Sequence, residues 1–249
     1  MSPLHAVAIF AAGVAAGTIN TVVGSGTLIT FPTLLAFGYA PVVANVSNTI
    51  GLVPGALSGA AGYRRELEGQ RHRVLTLAVV ATCGGTVGAV LLLVLPSSAF
   101  KAIVPFFIGV ALILIVVQKR LNKLLGDRRR GQGEGIGPAA LIGSFCSSIY
   151  GGYFGAAQGI LMLSILGLTI DDKLQRLNAI KVITTGTTNL VAGIVFVFAA
   201  RIAWAPAGLV AGGSLLGGVL GSRFGRLLPP NALRGLIVIV GVVAIIRLV

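Results

Sequence analysis

Acid is scarce in this sequence. Only six Asp and Glu stand among 249 residues, charged side chains make up 10% of the chain, and 55% of it is hydrophobic, with a mean hydropathy of +0.98. A soluble domain carries about 25% charged residues, so this composition excludes a chain that covers itself with a water-facing surface. It predicts an integral membrane protein. The acids, Glu66, Glu68, Asp127, Glu134, Asp171 and Asp172, all fall between apolar runs. That excludes a proton relay of membrane carboxylates and disfavours a cation path lined by acids. Histidine is rarer still: His5 lies near the start and His72 in a basic loop, neither at metal-ligand spacing from a partner. No metal site and no cofactor are expected. Cys83 and Cys146 lie in apolar segments and read as small packing residues, not a disulfide. Ser25, Ser147 and Ser148 also lie in apolar runs, but no His base is placed to activate them. No Gly-rich phosphate loop ending in Lys and Ser or Thr appears, which disfavours a nucleotide-driven pump. The chain therefore reads as a protein that is not an enzyme.

What the chain has is apolar length, glycine and base. The net charge of +13 invites a nucleic-acid partner, but the charges sit in short loops between apolar runs and favour a lipid bilayer instead. The first sixteen residues lack a basic leader segment, so they are expected to stay as a helix, not a cleaved signal. Ten apolar segments are predicted: about 5–23, 27–38, 41–63, 74–95 and 98–118, then 136–151, 156–168, 177–200, 204–222 and 232–249. These divide the chain into a first transmembrane repeat (1–118), a cytoplasmic basic linker (119–135) and a second transmembrane repeat (136–249). A spanning helix needs about 20 residues, whereas 27–38 and 156–168 would reach only about 18 and 20 Å. They occupy matching places in the two halves, and paired short, Gly-interrupted segments mark a transporter site between repeats.

The halves do repeat. An offset of 133 carries Asn45 onto Asn178, Gly84-Gly85 onto Gly217-Gly218, Gly88 onto Gly221, Pro96 onto Pro229 and Lys101 onto Arg234. Before Asn45 an offset of 129 takes Gly26 onto Gly155 and Gly38 onto Gly167. Placing the loop with Arg64, Arg65, Arg71 and Arg73 inside puts all but Lys101, Lys181, Arg201 and Arg247 of the nineteen basic residues inside. Both termini then lie outside, the first half starts outside and the second starts inside. The predicted fold is an all-α polytopic membrane protein of two inverted repeats, about five helical segments each, with broken or re-entrant helices at the centre.

The organising stretch is Gly17 to Pro32, where Gly24-Ser25-Gly26 interrupts an apolar helix and Pro32 is expected to interfere again; Gly151 to Gly159 is its partner. Bare N–H groups and positive dipole ends of helices restarting after Gly26 and Gly155 would suit an anion with several oxygens. Asn20, Gly24, Ser25, Gly26, Thr27, Gly155 and Gln158 lie at these breaks. Lys181 is the basic residue well within a span, either snorkelling to the membrane edge or serving as counter-charge for a substrate. Asn178 precedes it by three residues, on the same helical face, and the repeat places Asn45 and Asn48 equivalently. These pairs are expected to face each other across the axis between repeats. The glycines at 151, 155 and 159, and at 213, 217 and 221, also fit close helix packing.

At these residues the sequence resembles the TauE/SafE sulfite exporter family, also called the four-toluene sulfonate uptake family. The likeness covers nearly the whole chain. It rests on Gly24-Ser25-Gly26-Thr27-Leu28-Ile29-Thr30-Phe31-Pro32, then Ala44-Asn45 and Asn48-Thr49, and on Gly151-Gly152-Tyr153-Phe154-Gly155-Ala156-Ala157-Gln158-Gly159 with Asn178 and Lys181. The resemblance implies a multi-pass carrier in a bacterial plasma (inner) membrane for sulfite, sulfonates or related organosulfur anions. An exporter is expected, because an inside-negative potential favours outward movement of each negative charge by about 2.3 kcal/mol per 100 mV. An anion channel or an importer is the alternative, and a homodimer is open to it.

Overall fold

The computed structural model describes residues 1–128 and 135–224. Every regular element among them is an α-helix: α1 (Pro3–Val22), α2 (Thr27–Ala36), α3 (Pro41–Gly62), α4 (Arg71–Val94), α5 (Ser97–Arg128), α6 (Pro138–Tyr153), α7 (Gln158–Thr169), α8 (Leu174–Ala199) and α9 (Trp204–Phe224). This is the polytopic all-α architecture that the composition predicts. Helices α1, α4, α8, α9 and the Ser97–Ile115 part of α5 are long and apolar enough to cross a membrane. At 22 residues α3 has the length too, but it buries Asn45, Ser47, Asn48 and Thr49. With 10 and 12 residues, α2 and α7 reach about half the hydrocarbon thickness.

Three details differ from the sequence reading, and one lies beyond the described residues. The fifth helix runs on to Arg128, through the first part of the stretch read as a linker. Pro32 lies inside α2 without ending it, so the first interruption is confined to residues 23–26. Pro removes one donor, which a packed membrane helix tolerates when neighbours occupy the freed carbonyl's surroundings. Cys83 and Cys146 are free and exposed; they do not pack in the interior. The tenth segment, 232–249, lies outside the described residues, with Arg129, Arg130, Glu134, Arg226, Pro229, Arg234 and Arg247.

Small residues set the helix directions. Lipid tails supply no hydrophobic drive between helices, so association depends on close backbone approach. Helices α1 and α9 run parallel, Gly13 against Val210, Gly17 against Ser214 and Thr18 against Gly221. Helices α4 and α6 also run parallel, Gly84 against Phe145 and Gly88 against Tyr153. At the centre α3 and α8 run antiparallel, Gly59 beside Val182 and Ile50 beside Gly193. The packed pairs map onto one another when α1 is exchanged for α6, α3 for α8 and α4 for α9.

The short helices form two hairpins. His5 near the start of α1 stacks on Phe37 just beyond α2, ring centroids 4.3 Å apart, so α1–α2 opens on the face where α9 begins. Gly135 and Ile136 before α6 and Asp171 and Asp172 after α7 line one cavity with His72 and Arg73 of α4. A second cavity, of about 680 Å³, joins Arg64 and Arg65 to Ser222 and Arg223 at the end of α9. The α6–α7 hairpin therefore opens on the opposite face from α1–α2, among the basic residues. There Asp172 pairs with Arg73 at 2.5 Å and Arg176 at 3.1 Å. Burial would raise its carboxyl, but the Lys173 backbone N–H and the Arg176 and Arg73 guanidiniums outweigh that and hold it below the usual carboxylate range.

Candidate functional site

Both hairpins turn over within the bundle, and the two turns touch. The Gly159 N–H of the second donates to the Gly24 carbonyl of the first at 3.0 Å. A Cβ on Gly24 would lie 2.4 Å from the Gly159 Cα, and Gly24 has φ +89°. Glycine is required there twice over, for the left-handed backbone and for the approach. The second turn uses Gly155 at φ +75° and Ala157 at φ +57°. A left-handed alanine costs about 1–2 kcal/mol, and full burial of Ala157 holds it in place.

An interrupted helix strands carbonyls at one end and N–H groups at the other. Lys181 Nζ donates to the Asn20 carbonyl at 3.1 Å and the Thr21 carbonyl at 3.3 Å, at the broken end of α1. Asn178 Nδ2 donates to the same Thr21 carbonyl at 3.3 Å. At the broken end of α6, Asn45 Nδ2 donates to the Tyr153 carbonyl at 3.0 Å. Each half thus sends its asparagine to cap the other half's interrupted helix. Asn48 stays within its own half, accepting from the Thr30 hydroxyl and donating to Thr27 Oγ1 at 3.4 Å. Among the described residues no hydrogen bond joins the Asn45/Asn48 pair to the Asn178/Lys181 pair; Asn45, Asn178 and Lys181 reach instead to backbone carbonyls of the other half, and Asn48 to threonines of its own. Gln158 Nε2 donates to Thr188 Oγ1 at 3.3 Å.

Lys181 does not snorkel: its side chain is fully buried. A buried ammonium without an anion costs several kcal/mol. The carbonyl end of α1, equivalent to about half a negative charge, offsets part of that. An ammonium has three donors, and the two carbonyls take two of them. Close by in the chain, Ser25 is buried in the first turn with its hydroxyl unpartnered, and Asn45 Oδ1 and Asn178 Oδ1 are unpartnered too. The restarts of α2 and α7 do not leave the bare N–H groups expected from the breaks: Leu28 and Ile29 donate to the Ser25 and Gly26 carbonyls, and Gln158, Gly159 and Ile160 to those of Gly155, Gly24 and Ala157. The centre therefore combines a cation, a hydroxyl and the positive dipole ends of two helices, which favours an oxyanion. Among the described residues no three His, Cys, Asp or Glu side chains gather as metal ligands.

Sequence reasoning missed the acceptors. The carbonyls of Asn20, Thr21 and Tyr153 leave no mark in side-chain identity beyond the breaks that expose them. It also passed over Thr188 and the serines of α6 as site residues, although Ser144, Ser147 and Ser148 stand at helical spacing on one face.

The family described as sulfite exporter TauE/SafE matches residues 9–248. The chain belongs to that family. Among its relatives, the probable membrane transporter protein YfcA of Escherichia coli (strain K12) is 27% identical over 244 residues, 98% of this chain and 89% of that protein. A probable membrane transporter protein of Haemophilus influenzae is 26% identical over 232 residues, 93% of this chain and 89% of the other. A probable membrane transporter protein, ORF9, of Sinorhizobium sp is 29% identical over 243 residues, covering 96% of this chain and 90% of the relative. No solved structure matches the chain. Like the TauE/SafE proteins it resembles, it is a multi-pass membrane protein.

Proposed function

We propose that this TauE/SafE chain is a secondary transporter that exports small sulfur-containing anions such as sulfite, thiosulfate or organosulfonates. The supporting observation is the junction of two interrupted helices at Gly24 and Gly159, with the buried Lys181 ammonium beside it. Lys181 and the Ser25 hydroxyl would bind the anion in the field of the α2 and α7 dipole ends; Asn45 and Asn178 would hold the broken ends in place. The exchange of packing partners between halves, with hairpins opening on opposite faces, supports reading 1–118 and 136–249 as inverted repeats. In such repeats the site sits between the units and rocking exposes it alternately. The basic face of Arg64, Arg65, Arg73, Lys173, Arg176 and Arg223 would be cytoplasmic. An inside-negative potential would then drive the anion outward. The names of the relatives agree with transport in place of catalysis.

Purified protein in lipid vesicles, offered sulfite, thiosulfate, a sulfonate, sulfate and a carboxylate, tests this. Saturable flux with counterflow is expected for one or more of the sulfur anions. Non-saturating flux without counterflow would favour a channel, and no flux of any of the sulfur anions would refute the proposal.

A further inference from the structure

We infer that Ser144, Ser147 and Ser148 form a polar track along α6, by which the transported oxyanion passes between the basic face and the central junction. This rests on the transporter reading above. All three serines are buried, and among the described residues all three hydroxyls lack a hydrogen-bond partner. Spacings of three and four residues put them on one side of the helix. The usual fate of such a hydroxyl is to bond the carbonyl one turn earlier, as Thr21, Thr49, Thr184 and Thr188 do here. Packing alone does not call for serine, since alanine fills the same space without a stranded polar group.

The first hairpin lacks the feature. The left-handed glycines match Gly155 with Gly24, and the helix contacts match Gly84 on Phe145 with Gly217 on Val14, which sets the serines against Gly13, Ala16 and Gly17. None of these carries a hydroxyl, and the neighbouring Thr18 hydroxyl already donates to the Val14 and Gly217 carbonyls. Both ends of the track are marked. Above it, Gln158 lies against Gly151 and binds Thr188. Below it, Ser144 stands about 9 Å along the helix from Pro138, which follows the cavity of about 530 Å³ that Arg73, Lys173 and Arg176 help to line. Beyond the turn the way is closed by Phe31, Phe100, Phe107 and Phe154, packed edge-on or stacked with centroids 5.1–6.4 Å apart. Hydroxyl donors with no carboxylate beside them on α6 suit an oxyanion that sheds part of its water shell.

The test is sulfite flux through the full chain in vesicles, with Ser144→Ala, Ser147→Ala and Ser148→Ala combined. Flux is expected to fall about tenfold or more, the loss of hydrogen bonds to a charged guest. The melting temperature should hold or rise, because stranded hydroxyls are removed. Thr18→Ala, which removes an already partnered hydroxyl from the first hairpin, should leave flux close to wild type. Wild-type flux in the triple variant would overturn the inference while leaving the transporter reading intact. So would a loss of flux that tracks a loss of melting temperature, there or in the single variants Ser144→Ala and Ser148→Ala. A wild-type chain that moves none of the sulfur anions would defeat both.

Discussion

The two hairpins are built to one plan and finished differently. Each enters the bundle, breaks at a left-handed glycine and leaves by the same face, and each has its broken carbonyl end capped by an asparagine from the other half. Among the described residues, only the α1–α2 hairpin receives a cation, Lys181, and only the α6–α7 hairpin carries unpartnered serines along its first arm. The position equivalent to Lys181 is Asn48, which binds threonines of α2 and reaches no broken helix end. Duplicated architecture thus supplies the frame, and departures from symmetry supply the chemistry. An anion needs a net positive charge once, near the junction, not a copy in each half.

Removing the charge that distinguishes the first hairpin should have the largest effect. Lys181→Ala is expected to reduce anion flux to the background of empty vesicles while the protein still inserts; unchanged flux would exclude Lys181 from transport. Next come the turns. Gly24→Ala would force a left-handed alanine against the Gly159 backbone, and roughly 2–4 kcal/mol of stability should be lost. Gly155→Ala meets only the Gly151 carbonyl, at 3.0 Å, so about 1–2 kcal/mol is expected. Unfolding of the two variants in detergent ranks them, and equal losses would deny that the first turn is the tighter.

The caps sharpen the same contrast. Asn45 alone is seen to serve the Tyr153 carbonyl, whereas Asn178 shares the Thr21 carbonyl with Lys181. Asn45→Ala should therefore cost about 1–3 kcal/mol, and Asn178→Ala about 1 kcal/mol or less. Thermal unfolding of the pair decides the order. The smallest effect is expected at the mouth of the second hairpin. Asp172 is held below the ordinary carboxylate value of about 3.9. Its stabilising contribution is complete above that pH and is lost as pH falls through the lower folded value. Melting curves from pH 6 to 3 should show this component in the wild type and not in Asp172→Asn.

The parts of this comparison that sequence shows are those with local causes. Gly24-Ser25-Gly26 announces a break because glycine is a poor helix former and tolerates positive φ. The short reach of 27–38 and 156–168 follows from their length. Ala157 carries no such sign: its left-handed backbone is imposed by its surroundings. The continuation of α5 to Arg128 escaped notice because polarity was read as a boundary, although Lys119, Arg120 and Lys123 are good helix formers. Asn45, Asn178 and Lys181 were recognisable as polar groups in spans. Their targets were not, because a backbone carbonyl becomes an acceptor only where tertiary structure presents it. Symmetry alone favours a face-to-face pairing of the two polar pairs, but the broken helix ends take the donors of Asn45, Asn178 and Lys181.

An experimental structure with sulfite bound would locate the anion itself. Density touching Lys181 Nζ and the Ser25 hydroxyl, beside the Gly24–Gly159 contact, is the expected result. Sulfite held only by Arg64, Arg65 and Arg223 at the basic face, with Lys181 still bound to the α1 carbonyls and nothing at the junction, would contradict it.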